Sequence, residues 1–353
     1  MTENIIARRT LLGAGALALA MPPSKAEAYE GKHIMNVMTL GAKGNGIADD
    51  TRAIQRAVDW NAAANRGTLF FPVGTYKITA PITFDTNPIH IGFLGEPGAL
   101  IKGEFPDALL KRGVSNPTGG VHVIENLRFS NHHPSGKGVM FHKCVGAKIV
   151  NCQFTITGTA IETWGSQSIT VDTCSIIDSR VGIMAGNATT VLNCDITHCN
   201  EGIRHHNLGL TVIGGRYEVN NYGILLGKKP NGEAFQSTGF QLSGLSMESN
   251  GHAIYVLAGS AGQITGSAIT CNVPGKNSGI YLHDAEQVAI SGVSISNGGH
   301  SFSDGGIYLN NPARCTFDAI RINVGNGTAW RLPTGGQLAS LRFSATMPVV
   351  RQL

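Results

Sequence analysis

Nine short stretches share one form, a small residue, then Ile or a substitute, then any residue, then, in seven of them, an apolar one. They read GVMFH from Gly138, AIETW from Ala160, GIMAG from Gly182, GIRHH from Gly202, GILLG from Gly223, AIYVL from Ala253, GIYLH from Gly279, GIYLN from Gly306 and a weaker AWRLP from Ala329. Their starts lie 20 to 30 residues apart, and a second set of apolar stretches falls between them, such as KIVNCQF from Lys148 and TVLNCDI from Thr190. Apolar residues alternate with period two and β-branched residues dominate, so each stretch reads as a strand. Two short strands per unit, repeated about nine times at this period, mark a solenoid whose strands pair only with those of the coils above and below. The expected fold is all-β, a single-stranded parallel β-helix of about nine or more coils, stacked about 4.8 Å apart.

Composition agrees with that architecture. The chain has 353 residues, 42% of them apolar and only 14% charged, with 46 glycines, which favours strands and turns over charged helices. A formal charge of +4 without clustered Lys and Arg gives no sign of a nucleic-acid partner. No run of about 20 apolar residues is present, so no membrane span is expected. Seven cysteines cannot all pair with one another. Cys152, Cys174 and Cys194 stand two residues before Phe154, Ile176 and Ile196, a place taken elsewhere by Leu127, Leu245 and Val293. They read as small core fillers rather than as disulfide or metal ligands. No cofactor is expected; calcium is conceivable chemically but no motif supports it, and no metal ligands are assigned.

Residues 1–28 have the layout of a bacterial export signal: Arg8 and Arg9, an apolar run from Leu11 to Met21, and the small-x-small triplet Ala26-Glu27-Ala28. The arginine pair before Leu11 and Leu12 resembles the twin-arginine type, an ordinary secretory signal being the alternative. The mature chain, 29–353, is then expected in the periplasm or outside the cell. It opens differently from the rest, with residues 34–80 forming an N-terminal cap region. There Asp49-Asp50-Thr51 precedes Ala53, Ile54, Ala57 and Val58 at helical spacing, and Arg66-Gly67 follows. An aspartate N-cap and a glycine C-cap would bracket a helix of about four turns, placed to cover the raw end of the solenoid.

The stretch NVMTLGAKGNGIADDTRAIQRAVD, with RGTLFFPVGTYKI after it, resembles the opening of the rhamnogalacturonase/epimerase-like pectate lyase domain family. That is a right-handed β-helix family of bacterial polysaccharide-active enzymes and bacteriophage tailspikes. The resemblance implies an acidic or decorated polysaccharide as substrate, and lyase or glycoside hydrolase chemistry. The coils beyond residue 80 carry neither the paired-aspartate, Gly-His-Gly and Arg-Ile-Lys set of polygalacturonase-type hydrolases nor the Tyr-Gly-Phe-Asp-Pro-His stretch of mannuronan epimerases.

Within each small-Ile-x-aliphatic strand the Ile points inward and the next residue outward. The outward columns hold Glu162, Arg204, Tyr255, Tyr281 and Tyr308, and beside them His142, Trp164, His206, His283 and Asn310. The three tyrosines form either a stacking platform for sugar rings or a ladder that only stabilises the sheet. Two coils separate Glu162 from Arg204, so long side chains starting about 10 Å apart could meet on one ligand. For β-elimination His206 or Arg204 would supply the base and the cation; for hydrolysis Glu162 is the only outward strand acid, with Asp178 and Glu201 expected in adjoining turns. Glu162, Arg204 and His206 are therefore the candidate catalytic residues, with Glu162 and His206 facing solvent, and the other seven the candidate sugar contacts. A non-catalytic glycan-binding or cell-surface protein is the other reading. Whether the chain is a monomer or a homotrimer stays open.

Overall fold

The computed structural model describes residues 34–63, 66–84, 90–229, 231–271, 278–296, 298, 302–323, 328–332 and 342–343. The export signal lies outside the described residues. The rest winds into a parallel β-helix of about ten coils. In its first wall Val139, Ile161, Ile183, Ile203, Ile224, Ile254, Ile280, Ile307 and Trp330 pair rung upon rung, so all nine stretches fall into one register. Ile82 and Leu110 extend that wall upward.

Each coil has three walls rather than the two strands read from the sequence. A stretch such as KIVNCQF is two strands, Lys137–Val150 and Gln153–Ile156, divided at Asn151. The divider takes a left-handed conformation, with φ between 48° and 65° at Asn126, Asn151, Thr173, Asn193, Gly214, Gly244, Gly266, Gly292 and Ala319. One such residue turns the chain sharply, and Asn and Gly tolerate it best. The Cys152, Cys174 and Cys194 thiols follow this corner, buried and bonded to backbone carbonyls two residues back, as core fillers would be. In the third wall Tyr76, Ile101, Phe129, Phe154, Ile176 and Ile196 stack inward.

The helix spans Thr51–Ala63 and buries Ala53, Ile54, Ala57 and Val58 against the first coils. Its ends differ from expectation. Gly67 lies inside the strand Arg66–Phe71, so it does not end the helix. The Asp50 carboxylate accepts from the Lys43 and Gly44 backbone N–H groups at 2.6 and 3.0 Å, tying down the glycine-rich turn, while Asp49 accepts the Thr51 N–H at 3.0 Å. Both acids are spent on structure. The same holds for the turn asparagines, which form two ladders. Inside, Asn220 gives to the Asn250 Oδ1 and to the Ile196 carbonyl, both at 3.0 Å; outside, Asn221 gives to Asn200 at 3.2 Å.

Candidate functional site

On the outward side of the first wall a cleft of about 700 Å³ opens, and three of the candidate residues, Glu162, Trp164 and His206, line it. Glu162 and Met184 occupy successive rungs of its floor. The Lys137 ammonium stands 2.9 Å from the Glu162 carboxylate. Trp164 lies parallel to His142, with ring centres 5.8 Å apart, and gives its Nε1–H to His206 Nε2 at 3.0 Å. The far side is a loop after Leu226, folded back by a bridge between Lys228 and Ala234. It sets Phe235 edge-on to His206 at 6.0 Å, with the Lys229 ammonium 4.7 Å above the Phe235 ring. Arg180, exposed at the corner before its strand, completes the rim.

This loop explains two departures from the sequence reading. His206 points outward as alternation requires, but it is 7% exposed, because the loop and Trp164 cover it. Arg204 is 6% exposed and does not reach Glu162. It pairs instead with Glu201, which sits in the strand Glu201–His205 rather than in a turn, is itself buried, and also faces Lys228 at 3.6 Å. Burial holds the His206 ring below the usual imidazole range, and the positive charges of Lys229 and Arg204 push it the same way, so the ring is neutral near neutral pH. The cleft lining therefore carries three cations, Lys137, Arg180 and Lys229, against one carboxylate, Glu162. Such a lining favours an anionic ligand, and Trp164, 42% exposed, offers it an apolar face.

Below the cleft, past buried Leu225, Tyr255, Tyr281 and Tyr308 stand on consecutive rungs of one outer wall, each half-buried. Tyr255 and Tyr281 stack at 4.5 Å; Tyr281 meets Tyr308 edge-to-face at 4.6 Å, and Arg331 covers Tyr308 at 4.9 Å. His283 and Asn310 are bonded to each other at 2.7 Å. Desolvation, then the neighbouring tyrosines, pushes the Tyr255 hydroxyl up to about 12. The rings thus contact one another closely, and their outer edges remain open to a ligand.

Sequence reasoning missed Lys137, Arg180, Lys229 and Phe235. The first two stand two and three residues before the first-wall residues Val139 and Ile183, and a search of strand entries for cations would have found them. Lys229 and Phe235 belong to an irregular loop with no period to read.

Residues 34–117 match the family described as rhamnogalacturonase A/epimerase, pectate lyase-like, and residues 116–289 match that of the periplasmic copper-binding protein NosD. Among the described residues no three His, Cys, Asp or Glu side chains converge as metal donors, and the stacked thiols face the core. The chain is 48% identical over 74 residues to mannuronan C5-epimerase AlgE2 of Azotobacter vinelandii, covering 19% of this chain and 7% of that protein. It is 40% identical over 136 residues to a glucan 1,3-beta-glucosidase of Cochliobolus carbonum, covering 32% and 17%. The chain thus matches less than a fifth of the length of these relatives. DFA-IIIase from Arthrobacter chlorophenolicus A6, solved in complex with GF2, superposes with a TM-score of 0.70 over 90% of this chain and 99% of its own, at 10% identity, which is a likeness of fold. No helix among the described residues is long and apolar enough to cross a membrane.

Proposed function

We propose that this β-helix, whose residues 34–117 match the pectate-lyase-like family, is an exported protein that acts on an acidic polysaccharide in the cleft over Glu162. The single observation that carries the reading is the lining, three cations and an exposed indole around one carboxylate and a neutral imidazole. A uronate carboxylate would meet Lys137, Arg180 and Lys229, whose charge stabilises the anion formed when the C5 proton leaves. Glu162 and His206 are the lining groups able to take that proton. In elimination the C5–H pair forms the C4–C5 double bond, the C4–O bond breaks, and the departing oxygen receives a proton. Paired-acid hydrolysis needs two carboxylates flanking the bond. Among the described residues Glu162 is the only carboxylate that lines the cleft, and Glu201 is buried against Arg204, so the geometry favours elimination over hydrolysis. The tyrosine wall would carry further sugar units, and the helix Thr51–Ala63 would cover the open end of the coil stack.

Incubating residues 29–353 with a panel of uronate polymers tests this. The expected result is the ultraviolet absorbance of unsaturated uronate. New reducing ends without that absorbance would mean hydrolysis, and saturable binding with neither would mean a glycan-binding protein that uses the wall without chemistry.

A further inference from the structure

One ring nitrogen of a cleft-lining residue is buried with nothing to bind. His206 Nδ1 has no partner among the described residues, although the ring is 7% exposed and lines the cleft. The other ring nitrogen, Nε2, accepts the Trp164 indole N–H at 3.0 Å. An indole nitrogen only donates, so Nε2 must be the bare nitrogen, and a neutral ring then carries its proton on Nδ1. Trp164 is held on one face by the parallel His142 ring, which fixes the direction of the in-plane donor. The result is a buried, unpaired N–H on a ring that lines the cleft, a costly group to leave without an acceptor and one that an incoming oxygen would satisfy.

We propose that His206 meets the ligand as a neutral hydrogen-bond donor through Nδ1, and that Trp164 is the positioning residue that fixes this tautomer. The proposal rests on the polysaccharide reading of the cleft and deepens it. With Lys137, Arg180 and Lys229 around the same space, the acceptor is the carboxylate of a uronate unit. It also divides the two groups left open above. A neutral imidazole whose bare nitrogen is occupied has no site for an incoming proton. The C5 proton therefore goes to Glu162, which returns it to the departing C4 oxygen, while the Nδ1–H steadies the carboxylate oxygen as its charge grows.

Long-range proton–nitrogen spectra of the full chain, labelled on histidine, read both ring nitrogens. The expected result is a bare Nε2 and a protonated Nδ1 in the free protein, and a shift of Nδ1 when a short oligogalacturonate binds. Trp164→Phe keeps the ring on His142 but loses the N–H; it should mix the two tautomers and weaken the oligogalacturonate about ten-fold. His206→Ala should weaken it by a similar factor. His206→Asn presents an amide N–H near the Nδ1 position and cannot act as a base, so it should bind close to wild type. A protonated Nε2, an Nδ1 signal unmoved by a bound oligogalacturonate, or an Asn variant as weak as Ala overturns the proposal. Failure of the wild type to bind oligogalacturonate, with the tautomer as expected, instead overturns the polysaccharide reading and this ligand with it; the free-protein spectrum tells the two failures apart.

Discussion

Glu162 faces the cleft with one ordinary partner, Lys137 at 2.9 Å, and both side chains keep some contact with solvent. Glu162→Gln keeps the shape and removes the proton acceptor. Turnover of a uronate polymer should fall about 100-fold or more, while the loss of a partly exposed ion pair should cost about 1 kcal/mol or less in a urea melt. An active Gln variant would remove Glu162 from the chemistry. At this scale alternation told which side of the wall each residue takes: Ile161, Ile183 and Ile203 are buried, and Glu162, Trp164 and His206 project away from the core. It did not tell what lies over the outward side. His206 is covered by Phe235 and bonded to Trp164, neighbours 29 and 42 positions away in the chain, and no local period encodes either contact.

The corner between the first two strands of a stretch such as KIVNCQF shows how one element sets the fold and where its sequence is not optimal. Asn151 and Asn193 hold their left-handed φ of 50° and 48° with residues suited to it, but Thr173 between them sits at 51° with a β-branched side chain. Thr173→Asn should stabilise the protein by about 0.5–1 kcal/mol, read as a higher urea midpoint with unchanged slope; a lower midpoint would mean that the Thr173 hydroxyl, 2.8 Å from Asp172, matters more than the backbone. The inner asparagine ladder predicts the opposite sign. Asn220 is fully buried; its Oδ1 accepts the Cys199 N–H at 2.8 Å and its Nδ2 serves Ile196 and Asn250. Asn220→Ala strands several buried groups and should cost about 3 kcal/mol or more, and a mutant as stable as the parent would refute the ladder. The coil period and the wall register were legible because like residues recur on like. The third wall was not, because a single left-handed residue, Asn in one coil and Thr, Gly or Ala in another, carries the bend without a common letter.

A stack of coils is held mainly by nearest neighbours, so a charge forced into any one level weakens its contacts with the levels above and below. Three buried histidines stand at different heights. His122 is packed with Phe84 and Phe141, and neither of its ring nitrogens has a partner among the described residues; His205 is bonded to Ser237 at 2.7 Å, and His252 to Ser278 at 2.8 Å. Burial, the first cause in each case, lowers all three from 6.5 to about 4. Between those values the unfolded chain binds protons that the folded chain refuses, so stability is kept above pH 6.5 and lost as pH falls towards 4. Each such proton is worth about 1.4 kcal/mol per pH unit, which makes the combined slope steep, up to about 4 kcal/mol per unit. Urea midpoints measured from pH 7 downward should therefore hold level at first and then drop sharply. His205→Asn, which cannot take up the proton, should flatten that drop by about one proton's share, whatever it costs at neutral pH. A midpoint that stays level through the same window would mean that the histidines are already protonated inside the folded stack, and that its interior is wet rather than dry.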